Sequence, residues 1–128
     1  MKSMKKILIA LTCVVLLFVS CDIYNNYGYP SKVSFDSWGG VKIISGEDGL
    51  HTLEIADYNG IIANAPGDSI TDSLIVAHEW LTAKTKVFDQ NYGLTIIAEP
   101  NTTGKRRTLY ISGMVDNSFA EIKVTQSP

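Results

Sequence analysis

Residues 94–125 read LTIIAEPNTTGKRRTLYISGMVDNSFAEIKVT, and their pattern decides the fold. Leu94, Ile96 and Ala98 share one face of an extended segment that stops at Pro100. Arg107, Leu109 and Ile111 alternate with Thr108, Tyr110 and Ser112 in the next. Ala120, Ile122 and Val124 alternate with Glu121, Lys123 and Thr125 in the last. Period two over short runs marks half-buried strands. Between them, Asn101 to Gly104 and Asp116-Asn117 supply residue types that tolerate the left-handed backbone of tight reversals.

The same reading extends upstream. Lys32 to Phe35 is a candidate first strand, and Val41 to Ile44 follows the Gly39-Gly40 break. Thr52 to Ala56 alternates, with Leu53 and Ile55 on one face. Asp57 to Ser73 holds Asn59-Gly60 and Pro66-Gly67, and reads as a long excursion with one short strand at Ile61-Ile62. Leu74 to Ala83 is ambiguous: Leu74, Ala77, His78 and Leu81 sit at helical spacing, while a strand over Leu74 to Ala77 is equally arguable. No long amphipathic helix is visible anywhere. About seven to eight short strands with frequent turn signals predict an all-β chain built as a β-sandwich.

The N-terminus carries a different message. Lys2, Lys5 and Lys6 precede a run of low polarity from Ile7 to Val19, and the run closes on Phe18-Val19-Ser20-Cys21. A membrane-crossing helix needs about 20 apolar residues; this run better matches a signal-peptide core of roughly 7–15. Small residues in an A-x-A arrangement are absent, so ordinary secretory cleavage fits poorly. The stretch reads as a lipoprotein signal peptide over residues 1–20, cut before Cys21, whose thiol then carries lipid. Residues 21–31 follow as lipidated cysteine and tether, with Tyr24, Tyr27 and Tyr29 among Asn, Gly and Pro. The β-sandwich is expected over 32–128, with an insertion at 57–73. The expected location is the cell envelope, at the outer membrane, held through acyl chains on Cys21.

Composition narrows the function classes. Cleavage would leave 108 of the 128 residues, one domain of ordinary size. Losing three of 11 basic residues leaves eight against 13 acidic ones, a net charge of about −5. That balance argues against nucleic acid as a partner. Cys21 would be the one remaining thiol, so no internal disulfide is available. No cofactor is expected, nor a metal: no Cys/His cluster has zinc spacing, and Asp57, Asn59, Asp68 and Asp72 do not follow an EF-hand loop. His78-Glu79 is half of a zinc-protease signature, but Thr82 stands where the second His belongs. No nucleophile elbow and no phosphate loop is present. The reading is non-catalytic.

Several segments together resemble a known family. Glu79-Trp80-Leu81-Thr82, Leu94 to Ala98, Asn101-Thr102-Thr103-Gly104-Lys105-Arg106-Arg107 and the closing Ile122-Lys123-Val124-Thr125-Gln126 are similar to the BACON domain, as is Gly39-Gly40 before a strand. The resemblance covers roughly Val33 to Gln126. The stretch from Gly40 to Trp80 is longer than the family's. The resemblance implies an immunoglobulin-like β-sandwich from a Bacteroidetes-type bacterium and a module for carbohydrate or mucin, with a spacer role as the rival reading.

Each matching residue has a structural reading as well. Trp80 is a core plug or an exposed sugar platform. Gly104 supplies a positive φ in its turn. Arg107 pairs with a carboxylate or covers an edge. Lys105-Arg106-Arg107 is a solvated loop end or a contact for an acidic glycan. The candidate ligand-binding residues are Trp38, Tyr58, Tyr92 and Arg106, for a glycan or glycoprotein. Ser69 and Ser73, each in an Asp-Ser-apolar triplet, are candidate O-glycosylation sites. The alternative is a spacer or accessory subunit with an envelope-protein partner.

Overall fold

The computed structural model describes residues 26–65, 73–86 and 93–128. Cys21, Ser69 and Tyr92, and the lipidation and signal-peptide expectations, lie outside the described residues. Within the described residues no helix is long and apolar enough to cross a membrane.

Nine strands are described: β1 Lys32–Phe35, β2 Gly40–Ser45, β3 Glu54–Asp57, β4 Gly60–Asn64, β5 Ser73–His78, β6 Leu81–Lys86, β7 Gly93–Ala98, β8 Arg107–Val115 and β9 Ser118–Gln126. They form one sheet in the order β1-β9-β8-β3-β4 and a second in the order β2-β7-β6-β5. The fold is an all-β sandwich. Grouping strands 2, 7 and 6 against strands 4, 3, 8 and 9 is the immunoglobulin-like Greek key. To this plan β1 adds a parallel partner for β9, and β5 adds an edge to the second sheet.

The expected alternation is what buries the core. Leu94, Ile96 and Ala98 of β7 meet Leu109, Ile111, Ile122 and Val124 of β8 and β9, with Ile55, Leu81 and Ala83 beside them. Leu50 and Leu53, from the segment between β2 and β3, close the core from below. At the edge, Lys42 points inward. Its ammonium lies 5.1 Å from the centre of the Phe35 ring and donates to the Ser34 carbonyl, so its stem lids the gap between β1 and β2.

Two sequence readings are sharpened. Of the alternatives for Leu74 to Ala83, the strand over Leu74 to Ala77 holds and the helix does not: β5 and β6 form a hairpin from Ser73↔Lys86 to His78↔Leu81, reversing at Glu79-Trp80. Helical spacing at Leu74, Ala77, His78 and Leu81 was a coincidence of a buried strand followed by a turn. Glu79 makes that turn at φ 53, without the Gly or Asn that would announce it. The short strand expected at Ile61-Ile62 is present and runs longer, over Gly60–Asn64, pairing with β3 across a two-residue turn.

Odd-numbered strands all end, and even-numbered strands all begin, at one end of the sandwich, here called the upper end. It carries the turns at 36–39, 58–59 and 79–80 and the loop at 99–106. The N-terminal residues enter at the lower end, and two of them belong to the packed body although the sequence places them in a tether. The Asn26 amide donates to the Glu121 carbonyl at 2.7 Å and accepts from its N–H at 2.9 Å, imitating a strand partner. Tyr29 is buried, and its hydroxyl donates to the Asp48 carbonyl at 2.6 Å.

Gly46 is the seat of the Tyr29 ring: a Cβ there would stand 2.2–2.6 Å from three ring carbons. Gly46→Ala is therefore expected to destabilise by about 1–3 kcal/mol through overpacking. Chemical denaturation would measure it. An unchanged midpoint would mean that Tyr29 is not fixed against the body.

Candidate functional site

The upper end presents two aromatic side chains to solvent. Tyr58 is 87% exposed and Trp38 is 82% exposed. Large aromatics are seldom left this open without use, since each forfeits the burial of its ring. Both sit on braced turns. In the β3–β4 turn, Asp57 Oδ1 accepts the Asn59 N–H at 2.7 Å. In the β1–β2 turn, Asp36 Oδ1 accepts the Trp38 N–H at 3.0 Å, and the Asn101 N–H donates to the Ser37 carbonyl at 2.7 Å. The side chains are thus offered from backbones with little freedom left to lose on binding.

Tyr58 has company that Trp38 lacks. Tyr110 points outward from β8, paired with Ala56 on β3 and Lys123 on β9. The two tyrosine rings meet edge to face, with centroids 6.3 Å apart and planes at 79°. A shallow cleft of about 300 Å³ is lined by Ala56, Asp57, Tyr58, Tyr110 and Glu121. The Tyr110 phenol is held above its ordinary value of 10.0, first by desolvation, then by the neighbouring Tyr58 phenol and a hydrogen bond with it, and last by the Glu121 charge. The Tyr110 phenol therefore keeps its proton at neutral pH and remains a donor.

Of the three candidate ligand-binding residues among the described residues, Tyr58 alone lines this cleft. Trp38 shares the upper end but stands beside β1, three strand spacings of about 4.8 Å from β3. Arg106 is exposed in the loop between β7 and β8 and does not line the cleft. Ser73 is exposed but stands in β5 opposite Lys86, not in a loop. Sequence reading missed Tyr110, Asp57 and Glu121 as site residues. Parity already put Tyr110 and Glu121 on the outer faces of their strands. What it did not supply was the β3–β8 pairing that sets Tyr58 against Tyr110.

Several residues that carry the family resemblance are spent inside the fold. Trp80 is 5% exposed, a core plug, and the Arg107 guanidinium lies 4.8 Å from its ring centre. Among the described residues Arg107 pairs with no carboxylate, contrary to one of its readings; its Nε donates to Gln126 Oε1 at 2.8 Å, and its NH2 group reaches the carbonyls of Glu99 and Pro100. Asn101 is buried; its amide donates to the carbonyls of Lys105 and Ser127, and its oxygen accepts from Thr103. Gly104 takes φ +74 in that loop, as its turn role requires.

No family model matches the chain, and no curated protein matches it. Solved structures with some likeness to the chain include a Bacteroides ovatus GH5 xyloglucanase in complex with a XXXG heptasaccharide, at 21% identity and a TM-score of 0.43. That likeness covers 76% of this chain and 17% of the xyloglucanase, so the chain spans under a fifth of that protein. An NMR structure of a protein from Bacteroides thetaiotaomicron is 15% identical with a TM-score of 0.45, covering 78% of this chain and 82% of that one. Likenesses this slight say nothing of ligand or activity.

What the cleft can do follows from its atoms. The tyrosine pair offers an apolar face and hydroxyl groups, and Asp57 and Glu121 offer acceptors at the rim. Among the described residues no three His, Cys, Asp or Glu side chains converge to hold a metal ion. The arrangement suits a ligand with one apolar face and several hydroxyl groups.

Proposed function

We propose that the chain is a non-catalytic binding module of the cell envelope, lipid-anchored through Cys21 at the outer membrane, whose ligand is a glycan or glycoprotein. The observation that carries the ligand class is the Tyr58–Tyr110 pair beside Asp57 and Glu121. Pyranose rings present C–H faces that lie on aromatic rings, and their hydroxyls donate to carboxylates. With two carboxylates at the rim, the ligand is a neutral or amino sugar. Sialylated and sulfated glycans meet like charge there. The BACON-like segments and the signal-peptide pattern support the same reading. A spacer or accessory role is the second reading, favoured by the burial of Trp80, Asn101, Arg107 and Gln126 in the scaffold.

A glycan array probed with the purified chain tests the proposal. Tyr58→Ala is expected to weaken binding by about tenfold or more, the ordinary loss at an aromatic hot spot. Trp38→Ala distinguishes one platform from two. A blank array, or binding indifferent to Tyr58→Ala, would move the weight to the spacer reading.

A further inference from the structure

The outer face of the β2-β7-β6-β5 sheet carries three exposed aliphatic side chains, Val41, Ile43 and Ile75. Register aligns Ile43 with Thr95, Thr95 with Lys84, and Lys84 with Ile75 in one row across it. Val41, Ile97, Thr82 and Ala77 form the adjacent row. Ile43 is 73% exposed, Val41 62% and Ile75 53%. None of the outward-facing strand residues is acidic, although the chain has more acidic than basic residues. Lys84 and Lys86 both point outward from β6, two residues apart, close enough for their long side chains to converge on one headgroup.

This face is not flat. Gly93 starts β7 with no side chain, and a Cβ added there would meet nothing within 4 Å. The dip is flanked by Ile43, Ile75, Lys84, Lys86 and Thr95, and the trough they border holds about 430 Å³. That volume lies in the range of small-molecule sites, which are mostly apolar with a few placed polar groups. A second copy of the chain is a poor occupant. Strands about 4.8 Å apart and residues about 3.4 Å apart give this face roughly 400 Å², or about 800 Å² for two copies, short of the ~1,200 Å² of a stable interface.

We infer that this trough is a second binding site, for a free amphipathic organic anion of the alkyl-carboxylate class. The alkyl chain lies along Ile43 and Ile75 over Gly93. The carboxylate accepts from the ammonium groups of Lys84 and Lys86. The site is on the opposite sheet from Tyr58 and does not depend on the glycan reading.

Calorimetric titration of the full chain with dodecanoate, below its micelle concentration, tests the inference. Butanoate carries the same head with a short tail, and dodecyltrimethylammonium the same tail with the opposite head. Dodecanoate is expected to bind, with each methylene removed costing about two- to fourfold in affinity, and both controls are expected to be at least tenfold weaker. Gly93→Phe fills the trough from a strand position that suits an aromatic residue, and should abolish binding while leaving the melting temperature in place. If that variant does not fold, Lys84→Glu with Lys86→Glu serves, with an expected loss of tenfold or more. Equal binding of the cationic amphiphile overturns the site. So does binding confined to phosphatidylglycerol vesicles, or dodecanoate binding that survives the charge reversal.

Discussion

Trp80→Ala is expected to lower the melting temperature by roughly 15 °C or more, because removing a buried Trp costs about 3–5 kcal/mol and each kcal/mol is worth about 4–8 °C in a domain of this size. The ring is 5% exposed and belongs to the core cluster, so the truncation leaves a cavity rather than a solvent-filled notch. A second loss follows. The Arg107 guanidinium rests 4.8 Å from the ring centre and loses its aromatic face. The hairpin turn at Glu79-Trp80 is itself held to the strand end beyond it, since the Glu99 N–H donates to the Trp80 carbonyl at 2.9 Å. That bond uses backbone only and survives the substitution, so the topology should be kept. Circular dichroism melts of Trp80→Ala, Arg107→Ala and the double variant would separate the terms. The double variant should lose about 0.5–2 kcal/mol less than the sum of the singles. A melting shift under about 5 °C for Trp80→Ala would contradict the plug role.

That Trp80 is a plug was one of two readings open in the sequence, and size alone favoured it. The strands from Leu94 to Thr125 were legible because each alternates for five residues or more and each break contains Asn, Gly, Asp or Pro. The hairpin over 73–86 was not legible. Its apolar residues satisfy a helical period and a strand period at once, and its turn residue Glu79 takes φ 53 with no side chain that signals a reversal. Only the cross-strand pairing from Ser73↔Lys86 to His78↔Leu81 decides between them, and pairing is not a property of either strand by itself. The candidate cleft was half legible for a similar reason. Tyr58 stands out as an aromatic in a turn, whereas Tyr110 stands in a strand 52 residues away and acquires its meaning from the β3–β8 ladder. In the sequence Arg107 reads as pairing with a carboxylate or covering an edge rather than as a ligand contact, and its partners are not legible there. It is consumed by a tryptophan, a glutamine and two carbonyls of its own chain.

Gln126→Leu is expected to be nearly as damaging as the loss of Trp80, although it keeps the side chain's bulk. Gln126 is fully buried near the end of β9. Its amide nitrogen donates to the Asp36 carbonyl at 3.1 Å and to the Glu99 carbonyl at 2.7 Å, while its oxygen accepts from Arg107 Nε at 2.8 Å. One side chain thus ties the chain just after β1, just after β7 and at the start of β8. Leucine fills the volume and answers none of these groups. The Asp36 carbonyl keeps the Gly39 N–H and the Glu99 carbonyl keeps Arg107, while Arg107 Nε loses its partner. With about 0.5–1.5 kcal/mol for each of the two neutral bonds and about 1.5–3 kcal/mol for the charged one, the loss is about 3 kcal/mol or more. Gln126→Glu gives the sharper diagnosis. An ionised carboxylate there still accepts from Arg107 but faces two carbonyl oxygens with no proton to offer. The Arg107 cation pulls its folded pKa down, but full burial and the two carbonyl oxygens push it up, and the pH test assumes that the latter win, leaving it above the unfolded value. A raised carboxyl favours the folded state where it is protonated, so the variant's deficit should shrink as pH falls below the ordinary glutamate range and grow as pH rises through the folded pKa. Denaturant melts of wild type, Gln126→Leu and Gln126→Glu at two pH values would show it. A deficit for Gln126→Glu that does not depend on pH, or a Gln126→Leu variant as stable as wild type, would mean that the upper end is held by the core beneath it and not by this residue.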